Sequence, residues 1–261
     1  MHYTFCAKTD PGLIRRNNED AVLVDESCGV VVLADGMGGY NAGEVASGMA
    51  TTMITVELAR SLSGKDRLSR PDDISRALAS SVDRANQAIL RAAGDSSDCA
   101  GMGTTVVAGV FQRDQLFLTH LGDSRCYRLR GEALTQITKD HSMRQEQLDA
   151  GLITPDEAAH AQGRNLLTRA LGAEFELPVE VCIFQVVPGD LYLICSDGLT
   201  DMVDDVSLAG LIVHKKNIVK LASALINLAN AKGGRDNIAV VLIHAKDASD
   251  QFGNLPGLFV S

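Results

Sequence analysis

The stretch VVVLADGMGGYNAGEVAS, residues 30–47, decides how this chain is read. Four branched apolar residues and Ala34 form a run that predicts a buried strand, and the run ends in Asp35. Three glycines follow within four positions, and a helical apolar pattern starts at Ala42. A buried strand that ends in a carboxylate wrapped in glycine has two readings. It is a turn, since Asp-Gly is a common turn dipeptide, or it is a site.

Working outward, the same motif returns. LYLICSDGL puts Asp197 at the end of an apolar run and before a glycine, FLTHLGDSR places Asp123 similarly, and Asp236 opens a run in GGRDNIAVVLI. Each alone is adequately explained as a polar strand end. Together, strands of one sheet system can bring such ends to a common rim, where the carboxylates would raise one another's pKa unless a cation neutralised them. A set made only of oxygen donors, without His or Cys, suits Mg²⁺ or Mn²⁺ rather than zinc. Glycine after Asp35 lets a backbone carbonyl approach the same ion. Upstream, GLIRRNNED gathers Arg15, Glu19 and Asp20 between two strands. Arg15 offers a planar fork for phosphate oxygens, and Glu19 and Asp20 can orient metal-bound waters. From local composition alone, a solvated charged loop is the simpler reading of these three.

The remaining pattern predicts an α+β protein. Period-two alternation at Tyr3, Phe5 and Ala7 predicts a first strand, and further strands are expected at 21–24, 30–34, 104–111, 115–121, 125–130, 179–187, 191–195 and 238–245. Helical periodicity marks Ala42, Val45, Ala46, Met49 and Met53. It returns at Ile74, Leu78, Val82, Ala85 and Ile89, and again at Ile218, Leu221, Ala222, Leu225 and Ala229. Helices so few and unevenly placed do not fit regular βαβ alternation and favour antiparallel sheets overlaid by helices. A polar, helix-rich excursion at about 141–172 reads as a surface flap, with a capping box starting at Thr154. SLSGKDRLSR, residues 61–70, reads as a loop between helices.

Composition narrows the classes. At 261 residues and 46% hydrophobic, the chain can build a substantial core, and one domain over 1–250 followed by a tail at 251–261 is expected. The formal charge of -9, from 33 acidic and 24 basic residues without a basic block, argues against nucleic-acid or anionic-membrane partners. The six cysteines are scattered without C-x-x-C spacing, as reduced core thiols of a cytoplasmic protein would be. No segment approaches the ~20 apolar residues of a membrane helix.

The ordered set RRNNED, ADGMGG with GEVAS, GTT at 103–105, GDSR at 122–125, DHS at 140–142, SDGL at 196–199 and GGRDN at 233–237 resembles the type 2C, metal-dependent protein serine/threonine phosphatases in their compact bacterial form. The likeness runs over nearly the whole chain. It implies a four-layer α/β/β/α sandwich, two packed antiparallel sheets flanked by helices, with a two-metal centre of Mn²⁺ or Mg²⁺ at one edge. By resemblance Asp35 bridges both ions, the Gly36 carbonyl binds the second, and Asp197 and Asp236 bind the first. Asp123, with Asp197, matches a third, weaker site. Arg15 matches the phosphate-binding arginine, and Glu19 and Asp20 match the water-holding acidic pair.

The implied activity is hydrolysis of phosphoserine and phosphothreonine by a metal-bridging water or hydroxide, acting on phosphoproteins as a monomer and reversing a bacterial Ser/Thr kinase. The general acid is open, because Met37 stands where many relatives carry His, and a thioether donates no proton. A metal-bound water is one candidate donor and His141 another, with the alternative that His141 merely starts the flap helix. Two other functions compete. A covalent aspartyl-phosphate phosphatase of the haloacid dehalogenase type needs D-x-D-G, but Leu33 stands two before Asp35. A catalytically silent phosphoprotein-binding module of the same fold would be expected to lack metal ligands that this chain retains.

Overall fold

The apolar run at Val30 is continuous because it lies between two apolar layers. Val30, Val32 and Ala34 face helices, whereas Val31 and Leu33 face a second sheet. The computed structural model describes residues 1–38, 42–64, 67–154, 157–158, 166–214 and 217–247. Its strands are β1 (His2–Asp10), β2 (Asp20–Asp25), β3 (Val30–Met37), β4 (Gly103–Thr104), β5 (Val106–Gln112), β6 (Gln115–Leu121), β7 (Arg125–Arg130), β8 (Ala133–Gln136), β9 (Cys182–Gln185), β10 (Leu191–Cys195) and β11 (Ile238–Lys246). Its helices are α1 (Ala42–Leu62), α2 (Pro71–Asp95), α3 (Met143–Asp149), α4 (Asp197–Thr200), α5 (Asp205–His214) and α6 (Ile218–Ala231).

One sheet runs β1-β11-β10-β7-β8 and the other β2-β3-β5-β6-β9, with β4 pairing β3 on the side. Every pairing is antiparallel. Alternate residues of β10 and β11 divide as those of β3 do. Leu193, Cys195, Val240 and Leu242 face α5 and α6, and Tyr192, Ile194, Val241 and Ile243 face the opposite sheet. Helices α1 and α2 cover the outer face of the second sheet through Ala46, Ala50, Ile54, Leu58, Leu78 and Val82. The layers are therefore α/β/β/α, as expected.

Register then carries five carboxylates to one end. Asp20 pairs with Asp35 across β2 and β3, and Cys195 pairs with Val240 and Arg125 across β10, β11 and β7. The residues just beyond these pairs, Asp197, Asp236 and Asp123, fall at that same end.

Several expected elements differ in detail. The strand expected over 104–111 breaks at Thr105, because the Thr104 amide donates to Leu171 O (3.0 Å) while the Thr105 amide donates to Asp35 O (2.9 Å). The strand expected over 179–187 shrinks to β9, an edge strand that pairs only with β6. On α1, Val45 is 41% exposed, and the buried stripe instead follows Ala42, Ala46, Ala50, Ile54 and Leu58. β8 and α5 were not expected, and α5 is too evenly apolar to show a helical period. All six cysteines are free, but Cys182 is exposed on edge strand β9, so it is not a core thiol. The capping box holds: the Glu157 amide donates to Thr154 Oγ1 (3.2 Å) and the Thr154 amide to Glu157 Oε2 (2.8 Å). The rest of the expected flap at 155–156 and 159–165 and the tail at 251–261 lie outside the described residues.

A buried ion pair locks the β6–β7 turn. Arg125 Nε donates to Asp140 Oδ1 (2.9 Å) and Nη2 to Asp140 Oδ2 (2.7 Å), with the Asp140 side chain almost fully covered. Removing one partner would leave a buried charge unpaired, so Asp140→Ala is expected to cost about 3 kcal/mol of unfolding free energy. Urea denaturation followed by circular dichroism measures it; a midpoint equal to that of the parent would mean that water solvates Arg125 without loss.

Candidate active site

The end of β3 is clamped by the GTT segment. The Asp35 amide donates to Thr105 Oγ1 (3.0 Å), Thr104 Oγ1 donates to Asp35 O (2.8 Å), and Thr105 Oγ1 shares a hydrogen bond with Ser124 Oγ (2.8 Å). Gly36 answers the question raised by the glycines. A Cβ there would lie 2.2 Å from Gly43 O and 2.7 Å from Glu19 O, so only glycine lets α1 and the Glu19 segment close against the strand end. Gly198 does the same for the other sheet, where a Cβ would lie 1.9 Å from Asn237 O.

These elements enclose a cavity of about 220 Å³, lined by Arg15, Glu19, Asp35, Gly36, Met37, Asp123, Asp197 and Asp236 among others. Asp20 lies beneath it. Its Oδ2 accepts from Ser196 Oγ (2.7 Å), and its buried Oδ1 has no hydrogen-bond partner. Eight of the nine expected site residues are thus gathered. His141 is not: it lines a separate small cavity, stacked on His120 with ring centroids 4.6 Å apart. Its Nδ1 accepts from the Gly122 amide (3.3 Å), and burial, together with the neighbouring His120, lowers its pKa to about 4. His141 is therefore neutral near pH 7 and is not among the residues that line the acidic cavity. It holds the β6–β7 turn, since its amide also donates to Gly122 O (2.9 Å).

Burial and mutual repulsion penalise the charged form of the carboxylates. Burial and then the neighbouring Asp20, Asp197, Asp123 and Asp236 raise Asp35 well above the ordinary range. Burial and then Asp123, Asp201 and Asp236 raise Asp197 likewise. Burial is also the largest cause that lifts Asp20 to about 7 and Asp123 to about 6. Opposite charge comes from Arg15, whose Nη2 donates to Asp236 Oδ2 at 2.7 Å, and from Arg125 beside Asp123. Among the described residues no three His, Cys, Asp or Glu side chains close tightly enough to hold an ion unaided. The donor set nevertheless fits a hard divalent ion: clustered oxygens, an unpartnered Asp20 Oδ1, and mutual repulsion that a cation relieves. Carbonyl and water oxygens would complete such a shell.

Sequence reasoning passed over four supporting residues. Asn237 accepts from the Glu19 amide (2.8 Å) and donates to Pro11 O (3.0 Å) and Asn17 O (2.8 Å), so it fastens the Arg15 loop. Ser196 and Thr105 hold Asp20 and Asp35 as above. Asp201 adds to the charge felt by Asp197 and Asp123, and its i,i+4 spacing from Asp197 was the signal that could have found it.

Two packed antiparallel sheets under helices, with an acidic hard-ion cavity and an arginine at its edge, define the class of metal-dependent hydrolases of phosphate esters. The chain belongs to the protein phosphatase 2C family, whose model matches residues 15–242. It is 36% identical over 246 residues to the serine/threonine phosphatase stp of Listeria monocytogenes, covering 93% of this chain and 95% of that one. It is 40% identical over 243 residues to the serine/threonine protein phosphatase PstP of Mycobacterium tuberculosis, covering 93% of this chain and 45% of that one. The crystal structure of the PstP catalytic domain in complex with two manganese ions superposes with a TM-score of 0.83 at 38% identity, covering 94% of this chain and 99% of that one.

The raised pKa values set a sign for stability. A carboxyl raised from 3.8 to about 7, as Asp20 is, favours folding fully below the lower value, and the benefit is lost as pH rises through the upper one. In EDTA the melting temperature is therefore expected to fall between about pH 6.5 and about pH 8, and Mg²⁺ is expected to raise it more at the higher pH. Differential scanning fluorimetry decides this. A melting temperature flat in pH, with equal Mg²⁺ shifts at both ends, would mean that the carboxylates do not repel one another as described.

Proposed function

We propose that this chain hydrolyses phosphoserine and phosphothreonine in phosphoproteins with Mn²⁺ or Mg²⁺ as cofactor, and that the acidic cavity is where it does so. The carrying observation is the convergence of carboxylates from both sheets on one cavity with Arg15 beside them. Family membership and the named relatives support it. In this proposal Asp35, Gly36, Asp197 and Asp236 would hold two ions, and Asp123, with Asp197, would hold a third. When bound, the ions supply positive charge and Lewis acidity toward water and the phosphoryl oxygens.

The side chains supply the rest. Arg15 exchanges Asp236 for the phosphate and presents two parallel N–H donors to its oxygens. Glu19, tied through its amide to Asn237, and Asp20, tied to Ser196, orient water at the cavity floor. Water displaces the serine or threonine oxygen from phosphorus in line, and no side chain is phosphorylated. Met37 has no proton to give and His141 lines another cavity, so in this proposal water within the acidic cavity protonates the leaving alkoxide. A silent binding module is not favoured, since Asp35, Asp123, Asp197 and Asp236 all line the cavity.

We further infer that residues 1–250 act as one catalytic unit, as a cytoplasmic monomer that reverses a bacterial Ser/Thr kinase. The bacterial relatives named as serine/threonine phosphatases support the kinase link. No helix among the described residues is long and apolar enough to cross a membrane.

Phosphate release from a phosphothreonine peptide is expected with Mn²⁺ or Mg²⁺, to vanish in excess EDTA, and to fall on the order of a hundredfold or more in Asp197→Asn. Folded protein that releases no phosphate with either ion would return the silent module. Arg15→Ala is expected to raise KM by roughly tenfold with a smaller change in kcat. Steady-state kinetics that show the loss only in kcat would move Arg15 from phosphate binding to the transition state.

A further inference from the structure

Immediately before Arg15 stand two large apolar side chains, Leu13 and Ile14, 65% and 69% exposed. Apolar residues on a mobile loop would need no explanation, but this backbone is fastened on both sides of them. The Leu13 amide donates to Gly234 O (2.7 Å), the Gly12 amide donates to Asp10 Oδ1 (2.9 Å), and Asn237 Nδ2 donates to Pro11 O on one side and Asn17 O on the other. Gly12 is in the left-handed region at φ 75°, and a Cβ there would lie 2.2 Å from Asp236 O. Gly234 makes room from the opposite side, since a Cβ on it would meet Leu13 Cγ at 2.9 Å. Two apolar side chains are thus held out in water on a fastened shelf, next in sequence to Arg15, which lines the cavity.

We propose that Leu13 and Ile14 form the surface that selects phosphoprotein substrates with apolar residues next to the phosphorylated serine or threonine. This rests on the phosphatase function proposed above and names its substrate class. One residue of extended chain advances about 3.3 Å, so a shelf one and two residues from Arg15 reaches substrate positions one to three removed from the phosphorylated one. Apolar flanks bury against Leu13 and Ile14, and preorganisation of the shelf spares the ordering cost of binding.

The test compares kcat/KM with Mn²⁺ for two phosphothreonine peptides, one with Leu and one with Ser at the three positions on either side. They are assayed on the parent protein and on Leu13→Ser/Ile14→Ser, with p-nitrophenyl phosphate as a substrate that has no flanks. The parent is expected to prefer the Leu peptide by roughly tenfold, and the variant to lower that ratio toward one. Because the ratio is taken within one preparation, partial misfolding lowers both rates and leaves it intact. Leu13→Met/Ile14→Val is expected to keep the preference. A parent without preference, or a preference unchanged in the serine variant, overturns the shelf while hydrolysis of p-nitrophenyl phosphate leaves the phosphatase standing. Folded parent that hydrolyses none of the three substrates overturns the phosphatase and the shelf with it.

Discussion

The constraint on which the rest depends is repulsion. Asp20, Asp35, Asp123, Asp197 and Asp236 approach one another at one end of two sheets, in surroundings that penalise the charge of several of them. No local force favours such a cluster, so something else must hold it. That something is register. The antiparallel ladders on β3 and β10 are continued on both faces by apolar packing, and a slip of one residue would turn Val31, Leu33, Val241 and Ile243 out of the core between the sheets. The core thus stabilises an arrangement that the carboxylates alone would break apart.

Hydrogen bonds finish what register begins. Asp35 is caught at its amide and carbonyl by Thr104 and Thr105, Asp20 by Ser196, and the Glu19 amide by Asn237. The β6–β7 turn that carries Asp123 is held by Arg125 on Asp140 and by the His141 backbone on Gly122. Motifs that look separate in the sequence are therefore paired in space: GTT with ADG, GDSR with DHS, SDG with NNED, and DN with the Arg15 loop. Each pairing joins a residue near the chemistry to one that fixes its position.

This explains what was legible in the sequence and what was not. The buried strands were legible because a strand covered on both faces is a continuous apolar run, as at 191–195, where expectation and structure coincide. The carboxylate positions were legible because Asp35, Asp123 and Asp197 close such runs and Asp236 opens one. Asp201 escaped because helix α4 is a single short turn, and α5 escaped because an evenly apolar helix has no period to detect. Thr105 reads as strand interior, yet its hydroxyl bridges Asp35 and Ser124, a long-range property that local pattern does not encode. His141 was weighed as a proton donor on residue type alone. Its stacking on His120 and the Gly122 amide on its Nδ1 tie it to the β6–β7 turn.

Arg15 shows how the cavity reconciles rigidity with turnover. Its backbone lies in a segment pinned by Asn237 and Gly234, while its guanidinium is more than half exposed and bonded to Asp236 by one hydrogen bond. An ion pair so exposed contributes little, about 0–1 kcal/mol, so giving it up for a phosphate costs little. A phosphate offers two oxygens to the guanidinium fork where Asp236 now takes one, and the exchange is therefore favourable in hydrogen bonds as well as in charge. The buried Arg125 is the opposite case: three of its donors engage Asp140 and Tyr127, and it has no such freedom. Two arginines of one chain thus divide between holding the site and serving it, and the difference between them is burial.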